Sequence, residues 1–317
     1  MNQKHLLKLM DWSAEEIGQT LDLAADLKKK QKAGISFQPL KGKTLGMIFQ
    51  KSSTRTRVSF EVGMYQLGGS ALFLSSGDLQ MGRGEPVEDT ARVLSRYLDG
   101  IMIRTYAQQE VESLARYGSI PVINGLTDYA HPCQVLADLQ TIREFKGKTQ
   151  GLKACFIGDG NNMANSLIVG CIKMGMEFSI ACPQEYKPDA EIIKWAEKTG
   201  KFSCVQDPYQ AAAGADVLFT DVWASMGQEA ETAKRKQAFL AYQINEQLME
   251  AAKPGAMVQH CLPAHREEEI TAAVFEAHAE EIFQEAEDKD LHRGNIEQRL
   301  NLSQYRDFAK LYKFANI

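Results

Sequence analysis

The chain has 317 residues with a formal net charge of −5 at pH 7, and 44% of its residues are hydrophobic and 24% charged. That length exceeds what one hydrophobic core usually organises, so we expect two domains of roughly 150 residues each. The composition is that of a globular protein, and no apolar run approaches the roughly 20 residues of a membrane-spanning helix. The N-terminus turns acidic before a signal-like apolar core can form. We therefore predict a soluble, cytoplasmic protein that binds neither membrane nor nucleic acid.

The first predicted helix runs from about Ser13 to Ala33. Ser13 is a typical N-cap, and two glutamates follow it in the first turn. The one dense basic run, from Lys28 to Lys32, falls in the last turn before Gly34. Lysines there complement the helix dipole and glycine ends the helix, so this run does not require a nucleic-acid partner.

After this helix, short apolar segments alternate with polar turns and helical stretches. Buried parallel strands joined by crossover helices produce such an alternation. The predicted strands are Thr44–Phe49, Ala71–Leu74, Gly100–Ile103 and Pro121–Ile123, and the predicted helices include Pro86–Leu98 and His131–Phe145.

A glycine- and lysine-rich linker near residues 146–151 leads into a second set of such elements. We predict an α/β protein with two domains, residues 1–147 and 148–293, each with a central parallel sheet flanked by helices. The predicted strands are Ala154–Ile157, Phe178–Cys182, Val217–Thr220 and Met257–His260, and the predicted helices start at Asn162, span Asp189–Lys198 and Gln237–Ala252, and begin again at Glu267 and Asn295.

The segment that follows the first strand is a candidate anion site. Ser53, Thr54, Arg55 and Thr56 stand where a strand gives way to a helix. The first N–H groups of a helix have no partner within it and carry the positive end of the dipole, so they bind phosphate readily. A helix cap with surface arginines is the alternative interpretation of this segment alone.

Other polar residues follow equivalent strands. Arg104 ends the strand Gly100–Ile103, and His131 opens a helix as His-Pro-x-Gln, with Gln134 one turn in. Ligands of parallel sheets collect at the carboxyl ends of the strands. Two guanidinium groups, an imidazole, hydroxyls and a carboxamide together would suit a small phosphorylated carbonyl compound, although each residue alone has an ordinary structural explanation.

The second domain contains a glycine pair after a strand, Gly158-x-Gly160. Met163 stands at the third glycine position of a dinucleotide fingerprint and no acidic residue follows the next strand, so a nicotinamide-dependent dehydrogenase is a minor alternative. Asp221 and Cys261 end two further strands, and with Asn162 and Ser225 they could hold an amino acid. We expect no metal site at His260-Cys261, because adjacent strand residues point to opposite faces.

These motifs together resemble those of the carbamoyltransferases, and among them the ornithine-using members. The resemblance runs from about His5 to Glu287 and rests on Ser53-Thr54-Arg55-Thr56, Arg104, His131-Pro132-Cys133-Gln134, GDGNN, DVWASMGQE and HCLPAHREEE. It implies transfer of the carbamoyl group of carbamoyl phosphate to ornithine without metal or cofactor. It also implies a homotrimer, able to assemble further, in which a C-terminal helix, about 294–317, returns to the first domain.

The resemblance assigns roles to individual residues. Arg55, Arg104, His131 and Cys261 would be catalytic. The implied substrate ligands are Ser53, Thr54, Arg55, Thr56, Gln80, Arg104, His131, Pro132, Cys133 and Gln134 for carbamoyl phosphate, Asn162, Asp221, Ser225 and Met226 for ornithine, and Cys261, Leu262 and Lys289 where the substrates meet or at carbamoyl phosphate.

One stretch departs from the family pattern. Glu287-Asp288-Lys289 stands where the family has Glu-Asn-Arg, so Lys289 would replace an arginine that reaches carbamoyl phosphate. Two further alternatives therefore stay open: a carbamoyltransferase for another amine or amino acid, and a weakly active regulatory homologue.

Overall fold

The computed structural model of the chain describes residues 4–224 and 229–288. Contacts between Cα atoms divide them into two compact units, and the chain passes from one unit to the other between Asp128 and Tyr129. Each unit contains one parallel β-sheet with helices, which confirms the predicted fold class. Three predicted features lie outside the described residues: the pair Ser225 and Met226, Lys289, and the C-terminal helix.

Among its described residues, the first unit contains four strands and four α-helices. Its sheet has the strand order β2-β1-β3-β4, and every neighbouring pair is parallel. The elements are α1 (Ala14–Lys32), β1 (Thr44–Phe49), α2 (Thr54–Gln66), β2 (Ser70–Ser75), α3 (Val87–Leu94), β3 (Gly100–Arg104), α4 (Gln108–Tyr117) and β4 (Val122–Leu126).

The central strands of this sheet are apolar because both of their faces are covered. Ile48 of β1 and Ile103 of β3 are fully buried and pack with side chains of α3 and α4, among them Ala91 and Leu114. Such burial stabilises by roughly 25 cal/mol for each Å² of apolar surface. The carboxyl ends of β1 and β3, where the candidate residues lie, are thereby held side by side.

The part of the second unit that the structure describes contains five strands in the order β7-β6-β5-β8-β9, again all parallel. The elements are α5 (Pro132–Lys146), β5 (Lys153–Ile157), α6 (Asn162–Lys173), β6 (Glu177–Ala181), α7 (Ala190–Glu197), β7 (Phe202–Val205), α8 (Pro208–Ala212), β8 (Val217–Thr220), α9 (Thr232–Phe239), α10 (Glu246–Ala251), β9 (Met257–His260) and α11 (Ala272–Ala277). Residues 279–288 are helical as well.

The core of the second unit includes aromatic side chains. Phe239 is fully buried, with its ring centroid 6.2 Å from that of Trp223 and 5.9 Å from that of Tyr242. Leu218 of β8 and Val258 of β9 pack in the same cluster. This core fixes the ends of β8 and β9, which carry Asp221 and Cys261.

The predicted helix at Ser13 is confirmed together with its signals. The Ser13 hydroxyl accepts the Glu16 N–H at 3.1 Å and the Glu16 carboxylate accepts the Ser13 N–H at 3.0 Å, which forms a capping box. Lys29, Lys30 and Lys32 lie in the last turn, and Gly34 adopts a φ of 67° just beyond it. A left-handed residue is a common helix stop, so the basic run has the predicted structural explanation.

The predicted helix Gln237–Ala252 is wrong, because the chain forms two helices there. Tyr242 is buried between α9 and α10, and Ile244 forms a parallel bridge with Ile270. The Asn245 side chain then accepts the Leu248 N–H at 2.9 Å and caps α10. Two tertiary contacts and a cap therefore outweigh the continuous helical pattern.

The helix predicted at Glu267 is also wrong. Glu267 has a φ of 68°, and the helix starts instead at Ala272, after the Thr271 cap. Glu269 is fully buried because its carboxylate accepts from the His265 N–H at 2.6 Å and lies 3.0 Å from His260 Nε2. Residues of the acidic run therefore lie in a turn, and one of them, Glu269, is a buried hydrogen-bond partner of His260.

Strand β7 is absent from the sequence prediction. It has four residues at the edge of the sheet and only partial burial, so its apolar pattern is weak. The other predicted elements that fall among the described residues are present, and the largest shift is in α3, which ends at Leu94 rather than Leu98. No helix among the described residues combines the length and apolar character needed to cross a membrane.

The unit boundary and the predicted domain boundary differ in the placement of α5. By contacts, α5 belongs with the second sheet, since the unit starts at Tyr129. The boundary between residues 147 and 148 stays a prediction.

Candidate active site

The start of α2 has the geometry of an anion site. The Ser53 hydroxyl accepts the Thr56 N–H at 3.2 Å and lies 3.0 Å from the Thr56 hydroxyl. Thr56 is buried, whereas Thr54 and Arg55 are exposed. The first turn of α2, all of whose residues are described, carries no acidic side chain. Its positive dipole end therefore favours a negatively charged ligand.

Arg104 lies beside this helix start. It is the last residue of β3 and pairs in register with Phe49, the last residue of β1. The Gln50 and Lys51 N–H groups both donate to the Arg104 carbonyl, at 2.9 and 3.4 Å. The structure thus brings Arg104 and residues 53–56 to the same edge of the first sheet, as predicted.

Two further polar residues lie at this edge. Gln80 follows β2, the strand next to β1, and its side chain is exposed at the start of a short 3₁₀ turn. Lys51, which the sequence analysis missed, is buried, pairs with Asp128 and lies 4.3 Å from the centre of the Tyr106 ring. The sequence signal that could have indicated Lys51 is its position directly before Ser52 and Ser53.

In the second unit, His131 and Gln134 open α5. His131 is the N-cap residue and its N–H donates to the Ser166 hydroxyl at 2.8 Å. Pro132, Cys133 and Gln134 are buried, so Pro132 and Cys133 contribute to packing. Gln134 Nε2 donates to the carboxylates of Asp138 at 2.8 Å and Glu285 at 2.6 Å.

Asp221 is the centre of a hydrogen-bonded cluster at the ends of β8 and β9. Its Oδ1 accepts the Val222 N–H at 2.8 Å and the Cys261 thiol at 3.2 Å. Its Oδ2 accepts from Asn161 Nδ2 at 2.8 Å. Asp221 is 8% exposed and Cys261 is half-buried. The structure therefore joins two predicted residues and adds Asn161, the neighbour of the predicted Asn162.

Asn161 and Asn162 have different contacts. Asn161 Oδ1 accepts the Met163 and Ala164 N–H groups and so caps α6, which leaves its amide nitrogen for Asp221. Asn162 is the first residue of α6, and its carbonyl accepts from the Ser166 hydroxyl at 2.8 Å. Asn162 thus directly follows Asn161, the residue that contacts Asp221.

The segment after Cys261 is held by a buried histidine. The Leu262 N–H donates to His260 Nδ1 at 2.9 Å, and His260 Nε2 lies 3.0 Å from the Glu269 carboxylate. The proton of the imidazole is consequently on Nε2, where it is donated to Glu269. Leu262 has a φ of 57°, an unusual conformation for leucine that presents its backbone next to Cys261.

A buried ion pair supports the same strand ends and was not predicted. Asp159 of the GDGNN motif pairs with Arg235 of α9, whose Nε also donates to the Trp223 carbonyl at 2.8 Å. Burial raises the pKa of Asp159 to about 6, with contributions from Asp221 and Glu231, although Arg235 acts in the opposite direction. Arg235 stands between two lysines in a polar helix, and no local sequence pattern indicated this contact.

Comparison with known proteins places this fold and these motifs in one class. The family model of the aspartate/ornithine carbamoyltransferase carbamoyl-P binding domain matches residues 4–144, and that of the Asp/Orn binding domain matches residues 150–293. Both substrate-binding parts of a carbamoyltransferase are thus present. The chain belongs to the aspartate/ornithine carbamoyltransferase family.

Similar proteins carry a more specific name. The ornithine carbamoyltransferase of Syntrophotalea carbinolica is 58% identical over 90% of this chain and 95% of its own length. A solved structure of the Pyrococcus furiosus enzyme of that name is 50% identical, with a TM-score of 0.87 over 92% of this chain and 95% of that one. The Campylobacter jejuni structure, titled an anabolic ornithine carbamoyltransferase, is 42% identical, with a TM-score of 0.89 over 95% and 100%.

Proposed function

We propose that the protein is an ornithine carbamoyltransferase, which converts carbamoyl phosphate and L-ornithine to L-citrulline and phosphate. The observation that carries the choice of acceptor is the buried Asp221 carboxylate, held by Asn161 and Cys261. A buried negative charge favours an acceptor with an amine on its side chain and repels the second carboxylate of aspartate. The names of the similar proteins support the same acceptor.

Carbamoyl phosphate is assigned to the residues with phosphate-binding chemistry. The α2 start and Arg55 would hold the phosphate, and Arg104 and His131 would polarise the carbonyl on which charge grows during attack. The full proposed set is Ser53, Thr54, Arg55, Thr56, Gln80, Arg104, His131, Pro132, Cys133, Gln134 and Lys289.

Ornithine is assigned to the cluster at Asp221. The ornithine side-chain amine has an ordinary pKa of about 10.4 and is mostly protonated at neutral pH, so the site must favour its neutral, attacking form. Asp221 and Cys261 would orient this amine, since both lie at the same strand ends. The full proposed set is Asn162, Asp221, Ser225, Met226, Cys261 and Leu262.

The reaction needs only positioning and electrostatic stabilisation. The neutral amine attacks the carbamoyl carbon, the C–O bond to phosphate breaks, and the departing phosphate takes the proton lost from the nitrogen. Fixed cations and helix N–H groups stabilise the oxyanion and the leaving phosphate without reorganising, and in many enzymes such stabilisation contributes most of the rate enhancement. The proposal therefore includes no metal or organic cofactor.

The proposed setting is a cytoplasmic homotrimer. All six cysteines are free thiols, which is usual in a reducing compartment. Sedimentation velocity on the purified chain tests the trimer, and a monomer at working concentration would contradict it.

Assaying citrulline and phosphate together tests the function. Ornithine, aspartate, lysine and putrescine would be supplied in turn with carbamoyl phosphate. We expect stoichiometric citrulline and phosphate with ornithine, and much slower turnover with the other acceptors. A faster reaction with another amine would overturn the acceptor, and release of phosphate from none would support the regulatory homologue.

A further inference from the structure

The carboxamide of Gln134 is held on one side by two carboxylates. Gln134 is 1% exposed in the first turn of α5, and its Nε2 lies 2.8 Å from Asp138 Oδ1 and 2.6 Å from Glu285 Oε1. A primary amide nitrogen has two hydrogens, so these two contacts use both of them.

This arrangement fixes which way the carboxamide faces. Carboxylate oxygens accept hydrogen bonds, so a reversed carboxamide would set its own oxygen against two negatively charged oxygens. Asp138 is 1% exposed and Glu285 is 2% exposed, so water does not screen that repulsion. Gln134 Oε1 therefore has one orientation. Among residues 4–224 and 229–288, none donates a hydrogen bond to this buried oxygen.

Glu285 also connects this carboxamide to the strand that carries Cys261. While Oε1 accepts from Gln134, Oε2 accepts the His260 N–H at 3.1 Å. Glu285 lies in the helical residues 279–288, which place it against both α5 and β9. One carboxylate thus holds both the end of β9 and one of the two hydrogens of the Gln134 amide, and Asp138 holds the other hydrogen.

We propose that Glu285 and Asp138 are positioning residues that keep Gln134 Oε1 open as an acceptor, and that the enzyme thereby selects a phosphorylated donor whose carbonyl carries N–H groups. This inference rests on the proposed function. Carbamoyl phosphate presents an NH₂ group where acetyl phosphate presents a methyl group. A buried acceptor is satisfied by the first ligand and left unpaired by the second, so it discriminates between them.

Glu285→Gln separates this role from general stability. A glutamine at 285 has one acceptor oxygen for two donors, and its NH₂ group can donate to Gln134 and let that carboxamide turn over. Binding of carbamoyl phosphate and of acetyl phosphate would be measured by calorimetry without any acceptor amino acid. We expect carbamoyl phosphate to bind about tenfold more weakly, the effect of one good hydrogen bond, while acetyl phosphate binds as before.

Glu281→Gln is the matched control. Glu281 lies one turn earlier in the same helical segment and accepts the Val258 N–H of the same strand at 2.8 Å. It has the same kind of strand contact but a different side-chain partner, His278. We expect this variant to keep the preference of the parent for carbamoyl phosphate.

Several results would overturn the inference. Equally weakened binding of both ligands in Glu285→Gln would make Glu285 a structural residue. Unchanged binding of both would show that Glu285 does not position Gln134. If that variant does not fold, Asp138→Asn takes its place, because an amide there no longer enforces one orientation; an unchanged preference would then overturn the proposal. A parent protein that binds neither ligand would instead overturn the proposed function, and this inference with it.

Discussion

In the first unit, the candidate ligands are the N–H groups of a helix start and cations near it, whereas in the second unit they are side chains hydrogen-bonded to one another. Thr54 and Arg55 are exposed at the beginning of α2. Asp221, by contrast, accepts three hydrogen bonds in a mostly buried cluster. Substitutions of the exposed residues at the start of α2 should therefore alter binding and turnover without changing stability, whereas loss of the Asp221 carboxylate should alter both substrate binding and stability.

Arg55→Ala should have the largest effect, and on catalysis alone. It removes a cation from the proposed phosphate site, and loss of one such group costs roughly 10²–10³-fold in turnover, or about 3 to 4 kcal/mol. Arg55 is exposed, so the melting temperature should not change. Steady-state kinetics with varied carbamoyl phosphate and a thermal melt would measure both.

Arg57→Ala is the control for this position. Arg57 lies on the same helix, pairs with Glu61 at 2.9 Å and stacks on Phe73, so its loss should leave turnover nearly unchanged. Equal kinetics in the two variants would exclude the α2 start as the phosphate site.

The pH dependence of Asp159 tests the second unit next. Burial raises its folded-state pKa to about 6 from an ordinary value of 3.8, so the folded chain binds this proton more tightly than the unfolded chain. Its contribution to the free energy of unfolding therefore increases as the pH falls from above 6 towards 3.8, by at most about 3 kcal/mol. Arg235, Asp221 and Glu231 are the charged groups that act on it.

Urea unfolding of the parent and Asp159→Asn at fixed chain concentration, between pH 4 and 8, measures this contribution. Relative to the variant, the parent should gain stability as the pH falls through 6. The opposite slope would mean that the ion pair with Arg235 outweighs burial.

Asp221→Asn should affect both ornithine binding and the stability of the fold. Asparagine has one acceptor oxygen, so its NH₂ group must face either Asn161 Nδ2, whose own oxygen caps α6, or the Val222 N–H and the Cys261 thiol. One buried hydrogen bond is lost, at about 2 kcal/mol, and the KM for ornithine should rise about thirtyfold. Calorimetry should show unchanged binding of carbamoyl phosphate.

Asp189→Asn is the control for that change. Asp189 caps α7 in the same unit, and asparagine is an equally good cap. A normal KM for ornithine in Asp221→Asn would remove Asp221 from the site.

The strand ends were predictable from the sequence, whereas the contacts between them were not. Apolar runs followed by polar turns located Arg104, Asp221 and Cys261 because a buried parallel strand must be apolar to its end. The contact between Gln134 and Glu285 joins residues far apart in the chain, and no local pattern contains it. For the same reason Asn161, whose amide meets Asp221, was passed over for Asn162.

The prediction of a continuous helix was wrong where tertiary contacts competed with the local helical pattern. The segment Gln237–Ala252 has a helical pattern throughout, yet burial of Tyr242 and the bridge at Ile244 interrupt it. The helix predicted at Glu267 was wrong because Glu269 instead lies beside His260, at the end of the strand that leads to Cys261. In both segments the tertiary contacts override local helix propensity.

Cys261→Ser should have the smallest effect, and it tests whether the thiol does more than donate a hydrogen bond to Asp221. A hydroxyl can replace the thiol as donor to Asp221, so the fold and its stability should be kept. The shorter oxygen contact would draw the side chain towards Asp221 and away from the attacking amine, and we expect turnover to fall about fivefold, near 1 kcal/mol.

Cys204→Ser is the matched substitution, since Cys204 is a half-buried thiol on the edge strand β7 of the same unit. It should leave turnover unchanged. Turnover of both variants with saturating carbamoyl phosphate and varied ornithine makes the comparison direct. If Cys261→Ser keeps full activity, the thiol only satisfies Asp221, and orientation of the amine falls to Asp221 and the backbone at Leu262.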